Sequence, residues 1–216
     1  IFIPLNLDSF KSIKNFADEI KSKFPKIDIL INNAGMAPRT TKNKTEDGYF
    51  YIYQVNYLGN VLLTLLLLEH FNEKESKIIN VSSRGYKMSK LTYGDSKYLN
   101  NYDLMFKYFT ELRRKIQFYG DTKLLLNYFT QYLANLAEEK YPYLKVFCLH
   151  PGFILTNIFT RESKLFNLIF NLTFKNIFYL FSKDIVHGAQ TTLFLSYSDN
   201  KYLVNGAFYT DCNIEQ

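Results

Sequence analysis

The chain has two cysteines, Cys148 and Cys212, far apart in its 216 residues, which excludes a disulfide framework. Cys148 lies inside an apolar run and reads as a buried hydrophobe. Histidine is scarce too, with three in the chain. Neither residue type falls at metal-ligand spacing, so no metal site is expected. No basic segment followed by an apolar stretch opens the chain, so no signal peptide is read. The expected setting is reducing and intracellular, in the cytoplasm or at a membrane surface. Repeats and low-complexity linkers are also absent, so nothing divides the chain into two domains. Its length suits one domain with a sizeable core. A hydrophobic fraction of 47% and a charged fraction of 21% are globular values.

The net charge of +6 is unevenly placed. Between Arg84 and Lys115 stand eight basic and three acidic side chains, a net of +5. Aromatic residues interleave them, a pattern that nucleic-acid binders also show. The base rate for loops makes this window a solvated surface insertion instead, and no nucleic-acid partner is expected. Peripheral contact with an anionic membrane surface is the stronger of the minor readings.

Apolar patterning predicts alternating strands and helices, the signature of an α/β doubly wound parallel sheet. IFIPLNL at the start reads as a short strand. Ser9 reads as the N-cap of a helix to about residue 24, burying Phe10, Ile13, Phe16, Ala17 and Ile20, and Pro25 stops it. IDILIN reads as a strand covered on both faces. A long helix is expected over 45–70, with Gly48 and Gly59 as weak points. KIINVSS, LKVFCLH and AFYTDC read as further strands, with a helix over 183–195 before the last.

The run YGDTKLLLNYFTQYLANLAEEK, 119–140, organises the chain. Tyr119 and Lys123 are four apart and share one helix face. A phenol has a pKa of about 10, too high for proton transfer at neutral pH, and a neighbouring ammonium lowers it. The pair could therefore make a general acid/base. Leu124, Leu125, Tyr128, Phe129, Tyr132, Leu133 and Leu136 supply a face to bury. The same spacing recurs at Tyr86/Lys90, Tyr93/Lys97, Tyr141/Lys145, Tyr179/Lys183 and Tyr197/Lys201, so context must choose. Only Tyr119 opens a long helix between the KIINVSS and LKVFCLHPG strands.

That frame, strand–NVSS, Tyr-x-x-x-Lys, strand–PG, resembles the core of the short-chain dehydrogenase/reductase family, and DILINNAG resembles its signature after the fourth strand. SSRGYK, the long gap between Ser83 and Tyr119, and the ending HGAQTTLFLSYSDNKYLVNGAFYTDC resemble its retinol dehydrogenase-like branch. The resemblance implies an oxidoreductase passing a hydride between NAD or NADP and an alcohol or carbonyl carbon of a small lipophilic substrate. It implies Tyr119 as the proton-transfer group and Lys123 as the side chain that tunes it and holds the nicotinamide ribose. Ser83, with Ser82 competing, would orient the substrate oxygen. Asn56 would hold a water beside the lysine. Asn33, Ala34 and Gly35 would lie under the adenosine ribose, while Asn32 braces neighbouring strands. Asn6 and Leu7 align with an Asp-Leu pair beside adenine, and Pro151, Gly152, Ile154 and Thr156 with the loop that meets the nicotinamide carboxamide.

No stretch fits the family's G-x-x-x-G-x-G turn. The resemblance begins at the third strand, so the chain reads as a single domain lacking the first two strands and the phosphate-binding turn. IFIPLNL is thereby left without its sheet neighbour. A truncated, inactive product or a non-enzymatic binding module is the competing class. Residues 165–181, LFNLIFNLTFKNIFYLF, carry Asn167, Asn171 and Lys175 four apart. They predict a helix whose apolar face borders the cleft above Tyr119, too interrupted to span a bilayer.

Overall fold

A computed structural model describes residues 1–36, 44–91, 111–154 and 182–215, with side chains from residue 116 onward in the third segment. Thr156, most of the basic insertion with Tyr93, and residues 165–181 lie outside the described residues. Four strands run parallel in chain order: β1 Ile29–Asn32, β2 Ser76–Val81, β3 Leu144–His150 and β4 Phe208–Thr210. A short antiparallel β5, Asn213–Ile214, finishes the β4 edge. Parallel neighbours need crossovers. Three lie among the described helices: α2, the helical run Tyr51–His70, α3, Glu111–Lys140, and α4, Ile185–Tyr197. Helix α1, Phe10–Lys23, precedes β1. The doubly wound α/β architecture follows.

Helix α1 forms as its sequence dictates. The Ser9 hydroxyl accepts from Ser12 N, and the helix ends at Lys23, just before Pro25. Ile13 and Ala17 are fully buried. One sheet face carries Ile78, Leu144 and Val146 against Leu63 and Leu67 of α2 and Leu126 and Leu133 of α3. The other face carries Ile79, Phe147, Leu149 and Tyr209 against Leu195 of α4. Strand β2 is buried along its whole length, so its alternate side chains feed both cores.

The structure corrects several expectations. IFIPLNL is not a strand: residues 1–6 have no regular structure. A strand exists only through pairing, and among the described residues β1 is hydrogen-bonded on one side alone, to β2. IDILIN is not covered on both faces. Ile29 and Ile31 are 37% and 42% exposed, because α4 packs on β2 and β3 and no described element covers β1 on that side. The long helix starts at Tyr51, not 45, since residues 44–50 form a turn with Gly48 at φ 87°. Gly59 is no weak point. A Cβ there would lie 2.7 Å from Leu7 O, so the missing side chain lets the buried Leu7 dock on α2. Helix α3 is described from Glu111, which places Tyr119 at least about two turns inside it. Its buried stripe is Leu126, Phe129, Leu133, Ala134 and Ala137, whereas Tyr128 and Tyr132 are exposed.

Within α2, residues Gln54–Leu58 wind as a π-helix, a distortion frequent at functional sites. The Asn60 amide donates to the Val55 and Asn56 carbonyls at 3.1 and 3.2 Å, supplying donors inside the widened turn. By length and composition α2 is apolar enough to cross a membrane. Here that apolarity serves the core, in which Ile52, Leu63, Leu67 and Leu68 are buried.

Candidate active site

The site lies at the carboxyl ends of β1, β2 and β3, where open α/β sheets bind ligands. Strand β2 ends in Ser82 and Ser83, and the two serines part company. Ser82 is buried and donates to Lys123 O at 3.3 Å, a bond that fixes strand to helix. Ser83 is half-buried and lies close enough to the Tyr119 phenol to lower its pKa. It also caps the 3-10 turn Arg84–Met88 by accepting from Gly85 N at 3.0 Å. Of the two, Ser83 is the one brought to the tyrosine.

That turn lies hard against α3. A Cβ on Gly120 would stand 2.7 Å from Gly85 O, and one on Gly85 would stand 2.9 Å from Tyr119 Cε1. The two bare glycines thus let the turn close on the tyrosine ring. Ser89 Oγ donates to the buried Asp121 carboxylate at 2.6 Å and fastens the far end of the turn.

Lys123 is buried beneath Tyr119. Its Nζ donates to Val81 O at 2.9 Å and sits 5.8 Å from the Tyr119 ring centroid. Burial disfavours the ammonium and lowers its pKa to about 8. For Tyr119 the structure overturns the expected direction: burial raises its pKa, opposed by the nearby Ser83 hydroxyl. The lysine points to a backbone carbonyl rather than to the phenol oxygen, and desolvation of the ring outweighs what remains.

Asn56 is fully buried in the π-turn of α2. Its Oδ1 accepts from Met36 N at 2.8 Å, and its Nδ2 donates to Met36 O at 3.0 Å and Thr122 Oγ1 at 3.3 Å. Both ends of the amide therefore hold the backbone that follows β1. Along that backbone Asn33, Ala34 and Gly35 are exposed. A Cβ on Gly35 would lie 3.4 Å from Asn56 Oδ1 and 3.5 Å from Lys123 Nζ, so the glycine backbone lies close over the buried amine. Asn32 points the other way: its Nδ2 donates to Thr64 Oγ1 at 2.9 Å and Asn80 Oδ1 at 2.8 Å. Asn80 in turn donates to Thr130 Oγ1 at 2.9 Å. This buried polar ladder braces β1, β2, α2 and α3, the role read for Asn32.

Sequence reasoning missed Thr122, which orients Asn56, and the ladder partners Asn60, Thr64, Asn80 and Thr130. A signal was there. Asn56, Asn60 and Thr64 recur every four residues in an otherwise leucine-rich helix, a stripe that apolar burial alone would not select.

The remaining positions are split. Pro151, Gly152 and Ile154 follow β3 and are half-buried. Gly152 has φ 92°, a left-handed conformation that favours glycine. Ile154 bridges Lys183, which is ion-paired with Asp211. Beside them, burial and the nearby Arg84 lower the His150 pKa to about 4, so its imidazole is neutral. Leu7 is buried in the core against α2 rather than open to a ligand, and only Asn6 of that pair is exposed. Its backbone N–H donates to Ser12 Oγ at 3.0 Å.

What the arrangement can do is move one proton. A phenol within a hydroxyl's reach, an amine beneath it and an open glycine-lined shelf beside it suit a bound carbonyl or alcohol oxygen. A family model described as short chain dehydrogenase matches residues 1–98. Retinol dehydrogenase 14 of Mus musculus is 34% identical over 217 residues, covering 98% of this chain and 59% of that protein. Retinol dehydrogenase 12 of the same organism is 33% identical over 211 residues, covering 96% and 60%. The chain thus spans about three fifths of the length of these relatives. The NADPH-bound carbonyl reductase from chicken fatty liver superposes with a TM-score of 0.61 at 22% identity, over 98% of this chain and 74% of that one. At that identity the likeness is one of fold.

Proposed function

We propose that the chain belongs to the short-chain dehydrogenase/reductase family, with retinol dehydrogenase-like sequence, and that it is the catalytic part of an NAD(P)-linked oxidoreductase acting on a lipophilic alcohol or carbonyl compound. The single observation that carries this reading is the gathering of Ser83, Tyr119 and Lys123 where the chain leaves β2 and meets α3, with the Lys123 amine 5.8 Å from the Tyr119 ring centroid and bonded to Val81 O.

The roles follow from the geometry. Tyr119 exchanges the proton with the substrate oxygen. Its raised pKa keeps it a phenol at neutral pH, the form that donates a proton when a carbonyl is reduced. The Ser83 hydroxyl orients the same oxygen. Lys123, with a pKa of about 8, remains mostly ammonium at neutral pH and lies beneath the Gly35 backbone. Asn56 acts as a positioning residue, holding Met36 and therefore the 33–36 backbone over the amine.

The nicotinamide cofactor supplies the hydride when bound. The residues fit it: the exposed Asn33–Ala34–Gly35 shelf for the adenosine ribose and, on the nicotinamide side, Lys123 and the loop at Pro151, Gly152 and Ile154, to which the proposal adds Thr156. Asn6 remains available on the adenine side, whereas Leu7 is committed to the core. A glycine-rich turn for the pyrophosphate is not among the described residues. We assign the protein to the reducing interior of the cell, in keeping with its unpaired Cys148 and Cys212.

The test is turnover by the full-length protein with NADH and with NADPH, on aldehydes of graded chain length and on retinal. The reading predicts activity with one cofactor and a rise in kcat/KM with chain length, an increase that Phe170→Asp and Phe174→Asp blunt. Absence of turnover with either cofactor on every substrate would favour the non-catalytic alternative.

A further inference from the structure

The β4–β5 hairpin reaches the turn that follows Ser83. Glu215 N donates to Phe208 O at 2.9 Å, which fixes the Glu215 backbone against β4. Its side chain meets the 3-10 turn Arg84–Met88. Arg84 Nε donates to Glu215 Oε2 at 3.1 Å, and Lys87 Nζ donates to Oε1 at 2.5 Å. One carboxylate thus holds the turn near both of its ends, with a different oxygen for each. Between these two points the Tyr86 ring meets Phe208 of β4 edge-on, with centroids 5.3 Å apart at 66°.

The two bonds do more for placement than for stability. An isolated surface ion pair contributes at most about 1 kcal/mol, and the Arg84 and Lys87 side chains are half exposed. The Glu215 side chain is 10% exposed, so it is the fixed point to which the two basic side chains are drawn. Burial opposes its charge, but the bonds from Lys87 and Arg84 prevail and hold its carboxyl below the usual range. The turn passes this position on. Gly85 stands between Arg84 and Lys87, and its N–H donates to Ser83 Oγ at 3.0 Å. A Cβ on Gly85 would stand 2.9 Å from Tyr119 Cε1. Tyr86 N donates to Ser83 O at 3.0 Å. A shift of the turn would therefore move the Ser83 hydroxyl relative to the Tyr119 ring.

We propose that Glu215 is a positioning residue for the reaction proposed above: by holding Arg84 and Lys87 from the β4–β5 hairpin it sets the 84–88 turn, and with it the Ser83 hydroxyl, against Tyr119. This role rests on Ser83 and Tyr119 being the reacting pair.

The experiment is a double-mutant cycle in the full-length protein, with Glu215→Gln, Ser83→Ala and the two combined. Glu215→Gln keeps the side-chain size and removes the charge. Alone it should lower kcat by about 10- to 100-fold, the scale of misplacing a reacting group by up to 1 Å, and leave the KM for the cofactor unchanged. Combined with Ser83→Ala it should cost little more, because the group it positions is gone. Hydrogen exchange read by mass spectrometry needs neither cofactor nor turnover. Glu215→Gln should speed exchange at the Gly85 and Tyr86 amides roughly tenfold and leave β2 and β3 unchanged. Glu73→Gln, which breaks a surface pair with Lys26 at the opposite end of β2, is the control and should change neither readout. If Glu215→Gln does not fold, Arg84→Gln combined with Lys87→Gln removes the same bonds from the turn side and decides. No turnover by the wild type would overturn the function and this role with it. With an active wild type, unchanged exchange at the turn, or a kcat loss from Glu215→Gln that is as large when Ser83 is already alanine, would overturn the role of Glu215 alone.

Discussion

The two edges of the sheet are built differently. At one edge β4 turns back through Asp211 and Cys212, both at positive φ, into the antiparallel β5. Ion pairs from Lys183 to Asp211 and from Arg84 and Lys87 to Glu215 tie that hairpin to the site loops. At the other edge β1 has, among the described residues, a partner on one side only, and Ile29 and Ile31 face outward, partly bare. The register makes the contrast sharp. Ile31 stands beside Ile79 on the same sheet face, yet Ile79 is fully buried and Ile31 is 42% exposed. The proposed proton-transfer groups lie toward the finished part of the sheet, just after β2 and on α3. The proposed cofactor shelf, Asn33 to Gly35, continues from the bare strand. On that proposal, proton handling is assembled from elements that are close in this chain. The cofactor side rests on an edge whose outer neighbour is not among the described residues.

Three perturbations would sharpen or break this contrast. The largest effect is expected on the finished side. Removing the Ser83 hydroxyl with Ser83→Ala should lower kcat by about 100- to 1,000-fold, the range typical of losing one preorganised donor at a developing oxyanion. Ser82→Ala should instead act on stability, because its hydroxyl donates to Lys123 O. Steady-state kinetics and thermal melts of both variants separate the two. Equal kinetic loss would mean that the structure has been read with the wrong serine.

Next comes Lys123. Its folded pKa of about 8 lies below the ordinary 10.5, so the fold favours the neutral amine and is penalised by the charged one. The penalty is fully present below pH 8 and is relieved as pH rises towards 10.5. Relative to Lys123→Met, the wild-type protein should gain on the order of 3 kcal/mol across that window. Denaturant unfolding of both proteins at pH 7 and pH 10 measures it. A difference that does not change with pH would mean that the amine is solvated.

The smallest effect tests the edges directly. Ile79→Val should cost about 1 kcal/mol, as for a buried methylene, while Ile31→Val should fall within about 0.5 kcal/mol of zero, as for a surface site. Equal costs in the full-length protein would show β1 covered there and the contrast confined to the residues described.

How much of this was legible in the sequence depends on range. The Ser9 cap, the stop at Pro25, strand β2 and the shared helix of Tyr119 and Lys123 are each set within a few residues, and each was readable. Ser83 became readable once a strand framed it. The edge was not. IFIPLNL and IDILIN carry strand composition, but pairing and cover are supplied by distant chain, so neither the missing strand at 1–6 nor the exposure of Ile31 shows in their residues. Tyr128 and Tyr132 misled for another reason. A tyrosine has an apolar ring and a polar tip, and it fits a helix stripe whether it faces the core or water. The direction of the Tyr119 pKa shift was hidden as well. Spacing places Lys123 on the right face, but it does not reveal that the amine turns to Val81 O.

The central claim is that Tyr119, rather than any of the other tyrosines with a lysine four residues on, transfers the proton. The most direct measurement compares NAD(P)H-dependent carbonyl reduction by full-length Tyr119→Phe and Tyr93→Phe with the wild type, each checked for folding by circular dichroism. Tyr119→Phe should lose turnover by about 100-fold or more, in the range of general acid catalysis, with its fold intact, and Tyr93→Phe should retain it. Equal losses at both positions, or a loss at Tyr93 alone, would contradict the assignment.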